Sequence, residues 1–332
     1  MMLSRERHTL LLESLTRRSP PVAASEHFTL YRLAPPTGDD EWVIVHDFGP
    51  EQINNNLGHF VAEELMPLLA ERTLDTDQRP GYSEQQIFER SVGDIVRSMD
   101  GDARQAWHRF YDNTLLGLNE ALADNAVDSE KADFIRNFGA IYARVMQLMK
   151  ALPNAPMQPF NVLDVATCFG FFPLLMALQR DHALENLTDI VGWDLNPALV
   201  DLANDVARQR RCTKVRFELA DILADNLPER SFDVVCAIHL LEHLEPEQTA
   251  IALANLWKLT GQRLIISVPL EDTPDDFPFH AQARFDARPR DFARSRLRGR
   301  CCCRPPRRSE RTTRARTRTR AGARSSAAGG IG

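Results

Sequence analysis

Asp164 closes the apolar run Asn161-Val162-Leu163-Asp164-Val165, and a turn of small residues, Ala166-Thr167-Cys168-Phe169-Gly170, follows it. Asp194 closes a second short run, Ile190-Val191-Gly192-Trp193-Asp194. Two strands joined by one helical segment form a βαβ unit, whose ligand cleft opens at the carboxyl ends of its strands. A carboxylate only accepts hydrogen bonds and can grip a vicinal diol with both oxygens. Small residues in the intervening turn let the backbone approach a ligand closely. The combination predicts a nucleotide-like cofactor.

The turn narrows that class. A G-x-G-x-x-G dinucleotide fingerprint laid on Ala166 puts Phe171 at its third glycine, where a large side chain blocks close helix–strand packing. A G-x-G-x-G pattern instead places Ala166, Cys168 and Gly170 at its three positions, with Asp164 two residues before. This second pattern resembles the first motif of class I S-adenosylmethionine-dependent methyltransferases. The resemblance covers about residues 160–271 and includes Ala220-Asp221-Ile222 after a third strand and Ser231–His239 as a fourth, continued by Leu241-Glu242-His243-Leu244.

The resemblance implies S-adenosyl-L-methionine as cofactor and a division of labour among matched residues. The loop Ala166, Thr167, Cys168 and Gly170 would approach the methionine part, and Asp164 would hold its amino group through water. Asp194, with Leu195, would take the ribose hydroxyls. Asp221 and Ile222 would meet the adenine, and Ile238 would complete the cofactor-binding set. His243 is the candidate general base, since an imidazole with an ordinary pKa near 6.5 suits proton removal from a hydroxyl; the competing reading is that Glu242 and His243 only shape the loop. The variant Cys168-Phe169-Gly170-Phe171-Phe172 also resembles bacterial glycan methyltransferases such as those acting on mycofactocin oligosaccharides, which points to a small-molecule or sugar hydroxyl as acceptor. Ala166 and Cys168 depart from the family's glycines, and a positive φ at either would be strained.

His239-Leu240-Leu241-Glu242-His243 also spells H-x-x-E-H, the inverted zinc-protease pattern. That chemistry needs both histidines on one helix and a third ligand downstream. Here His239 directly follows a predicted strand and the next histidine is His280. No metal is expected.

The elements that must position these groups alternate from Phe160 onward. Strands are expected at 160–166, 189–194, 214–219, 232–238 and 263–270, and helices at 171–180, 197–209 and 246–259. Such alternation argues for an α/β fold of the Rossmann-like class I methyltransferase type, a mostly parallel sheet with helices on both faces. Upstream, strands at 28–33 and 41–48 flank the turn signal Pro35–Asp40, and helices follow at about 57–72, 84–99, 103–121 and 129–151. In the last of these, Phe134, Ile135, Phe138, Ile141, Tyr142, Val145, Met146 and Met149 recur at helical spacing, with Asp128 or Ser129 as N-cap. Tyr142, Phe134 and Phe138 suit either a cover for the cofactor or plain core, and Trp107, His108 and Tyr111 are equally ambiguous. Asn54-Asn55-Asn56 could touch a polyhydroxylated substrate, but capping the following helix is the simpler use.

Charge separates the chain's end from its body. Of the 332 residues, 284–332 hold 16 arginines, no lysine and 3 acidic residues, a net +13, while residues 1–283 carry −19. The arginine-rich segment lacks an apolar pattern and should not order by itself. One reading makes it a basic arm for nucleic acid or anionic lipid. The other makes it a GC-rich gene read out of frame, which the missing lysine and the run Cys301-Cys302-Cys303 favour. Nothing beyond Arg284 then supplies the end of the family's sheet, so that edge is expected to be incomplete.

The expected organisation is a hairpin-plus-helices region over 1–152 that selects substrate, a cofactor-binding methyltransferase domain over 160–283, and the tail 284–332. No apolar run approaches the roughly 20 residues that span a bilayer, and the cysteines lack disulfide or zinc spacing. A cytoplasmic enzyme is expected, with a nucleic-acid partner only if the tail is genuine. The alternative is a non-catalytic methyltransferase-like protein whose tail binds nucleic acid.

Overall fold

Short strands at the amino end pair around the predicted turn. β1 (Met2–Ser4), β2 (Pro21–Ala24), β3 (Phe28–Leu33) and β4 (Glu41–His46) form a sheet of order β1-β4-β3-β2, with helix α1 (Thr9–Arg18) between the first two. β3 and β4 run antiparallel from Phe28↔His46 to Leu33↔Glu41, as their alternation requires. β1 and β2, of three and four residues, are too short for alternation to reveal them. This computed structural model describes residues 1–33, 41–73, 84–124, 133–152, 158–179 and 184–269. The arginine-rich segment, the turn at 35–40, His280 and the expected caps Asp128 and Ser129 lie outside the described residues.

Four helical segments were expected next, and the first is interrupted. α2 (Leu57–Phe60) passes through a π-helical turn, Val61–Leu65, into α3 (Met66–Thr73). Pro67 lacks the N–H that would bond the carbonyl of Glu63, and a local widening absorbs that loss. α4 (Glu84–Ser98), α5 (Ala103–Asp124) and α6 (Phe134–Lys150) follow. Asp133 caps α6, its carboxylate accepting from the Arg136 amide. Asn56 serves the same helix end: its Oδ1 accepts from the Ile135 amide at 3.0 Å and its Nδ2 donates to Asp133 Oδ1 at 3.0 Å. The asparagine cluster thus does cap a helix, but one that lies far along the chain.

From Phe160 the expected alternation appears. β5 (Phe160–Val165), α7 (Phe171–Leu178), β6 (Leu187–Asp194), α8 (Pro197–Gln209), β7 (Val215–Leu219), β8 (Phe232–Ile238), α9 (Pro246–Leu259) and β9 (Thr260–Ser267) build a sheet of order β7-β6-β5-β8-β9. Every pairing in it is parallel. The chain moves outward from β5 to β7 and then returns to the other side of β5, so a topological switch lies between β5 and β8. Reciprocal bonds fix the register there: the Asn161 amide donates to Asp233 Oδ2 and the Asp233 amide to Asn161 Oδ1. β9 begins at Thr260, earlier than expected, straight from the end of α9.

Successive residues of the central strands feed two cores. Leu163, Val191 and Val235 pack with Leu256 and Leu259 of α9. On the other face, Val162, Ile190 and Val234 join Leu174 of α7 and Val206 of α8 in a core that also contains Phe110, Tyr111, Tyr142, Val145 and Met149. The amino-terminal helices therefore share a core with the sheet. Burying each large apolar side chain contributes about 1.5–3 kcal/mol, so α6 is held by its Val145, Met146 and Met149 stripe. Arg263 of β9 donates to the carbonyls of Leu148 and Ala151 at the end of α6.

Candidate active site

The turn after β5 is built on an alternating backbone. Ala166, Cys168 and Gly170 have φ of 57°, 52° and 72°. These are the three positions where the motif places glycine, so both substituted residues adopt the left-handed conformation at a cost of about 1–2 kcal/mol each. The bonds that hold them there are local: Thr167 N–H donates to Trp193 O at 2.9 Å, and Gly170 N–H to Thr167 O at 2.8 Å. Gly170 has a second constraint, because a Cβ there would lie 2.4 Å from Phe217 Cε1. The same ring excludes a side chain at Gly192, where a Cβ would meet Phe217 Cδ1 at 2.5 Å.

Two carboxylates converge on this turn. Asp164 is 4% exposed, and Thr167 Oγ1 donates to its Oδ2 at 2.7 Å. Burial pushes its pKa up to about 7; the Thr167 hydroxyl opposes that rise and the Asp194 charge adds to it. Asp194 is half-buried, its Oδ2 accepting from Cys168 N–H at 2.8 Å and its Oδ1 from Asn196 N–H at 2.9 Å. Each oxygen keeps a further lone pair for a ligand hydroxyl. The backbone carbonyl of Asp194 also accepts from Ala220 N–H at 3.1 Å, which ties the end of β7 to the same cleft. Beyond it Asp221 is exposed, its Oδ1 taking the Leu223 amide at 2.7 Å, while Ile222 is buried. Leu195 stands 66% exposed beside Asp194, an apolar surface open to a planar ring.

Cys168 is exposed, yet enough protein surrounds its thiol that burial, with Asp194 and Glu89 adding to it, pushes the pKa up to about 12. A thiol so raised is no nucleophile at neutral pH.

Helices α5 and α6 form the other wall. Tyr111 donates its hydroxyl to Phe169 O at 2.8 Å, fixing the turn from outside. Burial raises the Tyr142 pKa well above its usual 10, and the charges of Asp164 and Cys168 raise it further. From Tyr142 an aromatic row continues through Phe138, at 5.7 Å, to His239, 5.4 Å from Phe138. Helical spacing in the sequence left these rings ambiguous between core and cleft; their placement gives them both roles. Nothing in the sequence singled out Phe217, whose part depends on two glycines remote in the chain.

At the end of β8, Ile238 is buried and His239 turns left-handed with φ 53°. A single 3-10 turn, Leu241–His243, follows, so the H-x-x-E-H pattern does not lie on one helix and lacks the geometry of the zinc-protease motif. Glu242 is 1% exposed with Oε1 3.0 Å from His239 Nδ1. Burial alone would raise the Glu242 pKa, but its bond to His239 and the charges of His239 and His243 hold it below the usual carboxylate range. His243 itself is exposed, with its amide on Leu240 O at 3.1 Å. The structure thus brings Asp164, Thr167, Cys168, Gly170 and Asp194 together through hydrogen bonds of the turn, while His243 follows β8 and is exposed.

A buried carboxylate with a raised pKa, a second carboxylate beside it and a backbone cradle without Cβ atoms at its tightest points fit a cofactor that carries positive charge and a diol. S-adenosylmethionine has both. The family described as "Methyltransferase domain" matches residues 162–262. Ajmaline N-methyltransferase from Rauvolfia serpentina is 29% identical over 116 residues, 34% of this chain and 38% of that protein. Phosphoethanolamine N-methyltransferase from Triticum aestivum is 29% identical over 107 residues, 32% of this chain and 20% of the relative. The chain thus spans well under half the length of these curated relatives. An S-adenosylmethionine-dependent methyltransferase structure from Mesorhizobium loti aligns at 20% identity over 40% of this chain and 56% of that one, with a TM-score of 0.31. Residues 162–262 thus match the methyltransferase-domain family.

Proposed function

We propose that the chain methylates a small-molecule or sugar hydroxyl with S-adenosylmethionine as donor. The observation that carries this reading is the pairing of Asp194 with the left-handed turn at Ala166, Cys168 and Gly170. When bound, the cofactor supplies an activated methyl group on sulfur. Asp194 would hold its ribose hydroxyls with the lone pairs left by Cys168 and Asn196, and Leu195 and Ile222 would flank the adenine near Asp221. Asp164, buried and close to half-ionised at neutral pH, would take full charge opposite the amino group. Ala166, Thr167 and Gly170 would align the methionine part, and Ile238 would close the floor. Positioning supplies most of the rate in such a transfer.

The aromatic row Tyr142-Phe138-His239 gives the acceptor side an apolar, stacking surface suited to a ring, sugar or aromatic, and the shared core makes the amino-terminal helices part of that site. His239 and His243, after β8, are the two candidates for the proton acceptor. The matched relatives carry N-methyltransferase names, so an amine is the competing acceptor atom. Calorimetric titration of S-adenosylmethionine into the wild type and Asp194→Ala tests the reading. Binding by the wild type and its loss in the variant support it; no heat from the wild type sinks it.

A further inference from the structure

We infer that His239, held by Glu242, is the base that takes the acceptor's proton. This rests on the methyl-transfer reading above and adds a constraint on the acceptor. Glu242 is 1% exposed, and its Oε1 lies 3.0 Å from His239 Nδ1. The His239 imidazole is the basic group within ion-pair distance of that buried carboxylate, three residues before it in the chain. A buried charge left without a partner costs several kcal/mol; its retention here needs the ring. The backbone supports the arrangement: His239 is left-handed, an unusual choice for a non-glycine residue, and its amide is tied to Ser267 O at 2.9 Å.

A carboxylate on Nδ1 keeps the proton there and leaves the Nε2 lone pair bare, which is the tautomer a base needs. His239 is part-exposed, 28% by side chain, and the Phe138 ring beside it leads to Tyr142. His239 directly follows the carboxyl end of β8, the side of the sheet on which the cleft opens. The acceptor O–H bond breaks as the oxygen bonds the methyl carbon; the methyl–sulfur electron pair stays on sulfur, and the proton goes to Nε2 and then to water. A tertiary amine has no proton to lose and gains nothing from this pair. The dyad thus favours an acceptor with a proton to lose, a hydroxyl or a primary or secondary amine, over a tertiary amine.

The full-length chain, with ¹⁵N-labelled histidine, tests this by long-range imidazole correlation, His239 being assigned by its loss in His239→Asn. The expected wild-type spectrum shows Nδ1 protonated and Nε2 bare, and saturating S-adenosylmethionine displaces the Nε2 resonance. Glu242→Leu and the milder Glu242→Gln should mix the two tautomers, Leu more than Gln. An Nε2–H tautomer in the wild type, or a spectrum indifferent to both substitutions, overturns the dyad. A His239 resonance unmoved by saturating cofactor, when calorimetry reports binding, overturns its place in the cleft. If calorimetry reports no binding, the methyl-transfer reading itself fails. With methyl-labelled cofactor and catechol, methyl α-D-glucopyranoside and ethanolamine as probes, His239→Gln should lower transfer to a hydroxyl by about 10²-fold or more at unchanged cofactor affinity. Hydroxyl transfer within twofold of wild type, or loss in His243→Gln alone, overturns His239 as base.

Discussion

The amide of Cys168 donates to Asp194 Oδ2 at 2.8 Å, joining the loop after β5 to the end of β6. The carboxylate proposed for the ribose therefore also shapes the turn proposed for the methionine part. Hydrogen bonds to a charged partner contribute about 1.5–3 kcal/mol. Asp194→Ala should weaken S-adenosylmethionine binding by at least tenfold, and Asp194→Asn by less, because the amide oxygen can still accept from Cys168. Calorimetry on both variants checks the order.

Left-handed backbone at Ala166 and Cys168 predicts that glycine is an improvement there. Ala166→Gly and Cys168→Gly should each raise stability by up to about 1 kcal/mol, the relief of the left-handed penalty less the entropy glycine brings to the unfolded chain. Gly170→Ala should act in the opposite sense, since it adds both a φ of 72° and a Cβ 2.4 Å from Phe217. Urea denaturation of the three variants would show two midpoints rising and one falling.

Asp164 predicts a pH dependence with a defined sign. Its folded pKa near 7 lies above the ordinary 3.8, so the folded state binds more protons between those values. Its contribution favours the folded state at low pH and is lost as pH rises from about 4 to 7, by about 4 kcal/mol in all. Asp164→Asn should flatten this loss in denaturation curves at pH 5 and 8. Cofactor affinity should move the other way, rising with pH through about 7 as the carboxylate ionises. Binding near pH 7 should release about half a proton, read from calorimetry in buffers of different ionisation enthalpy.

Much of this site could be read in the chain because it is local. Asp164, the small-residue turn and Asp194 lie at strand ends, and short apolar strands announce themselves. Asp133 as the cap of α6, Phe217 beneath two glycines and the carboxylate behind His239 were not legible in that way. Phe217 depends on strands brought together by the sheet, which no periodicity encodes, whereas Asp133 and Glu242 act three residues from their partners and turn on the local backbone path. His243 drew attention by sequence pattern alone; only the backbone geometry after β8 distinguishes it from His239.

His46 predicts acid sensitivity in the amino-terminal sheet. Its ring is 1% exposed, with Nε2 2.7 Å from Ser98 Oγ. Ser98 Oγ itself donates to Ile95 O at 2.7 Å, so it must accept from Nε2–H, leaving the buried Nδ1 without a partner. Burial, helped by His8, lowers the His46 pKa from 6.5 to about 4. The unfolded chain binds the extra proton between those values, so stability falls as pH drops from about 6.5 to 4, by about 3 kcal/mol. His46→Asn should remove that slope from urea midpoints measured across the interval. Between about pH 4 and 6.5 the opposite slopes of Asp164 and His46 largely cancel, so each emerges only when the other is removed by substitution.

Phe217 couples positions 192 and 217, so that volume can be exchanged between them only together. Asn204 brackets its backbone on both sides, accepting from the Phe217 amide at 3.0 Å and donating to its carbonyl at 2.8 Å, so the ring cannot retreat by shifting its strand. Volume added at 192 must be removed at 217: Phe217→Ala would make room for Gly192→Ala. Position 170 gains nothing from that trade, because its backbone conformation still excludes a side chain. Redesign of the cofactor cradle therefore has one negotiable glycine and one that is not.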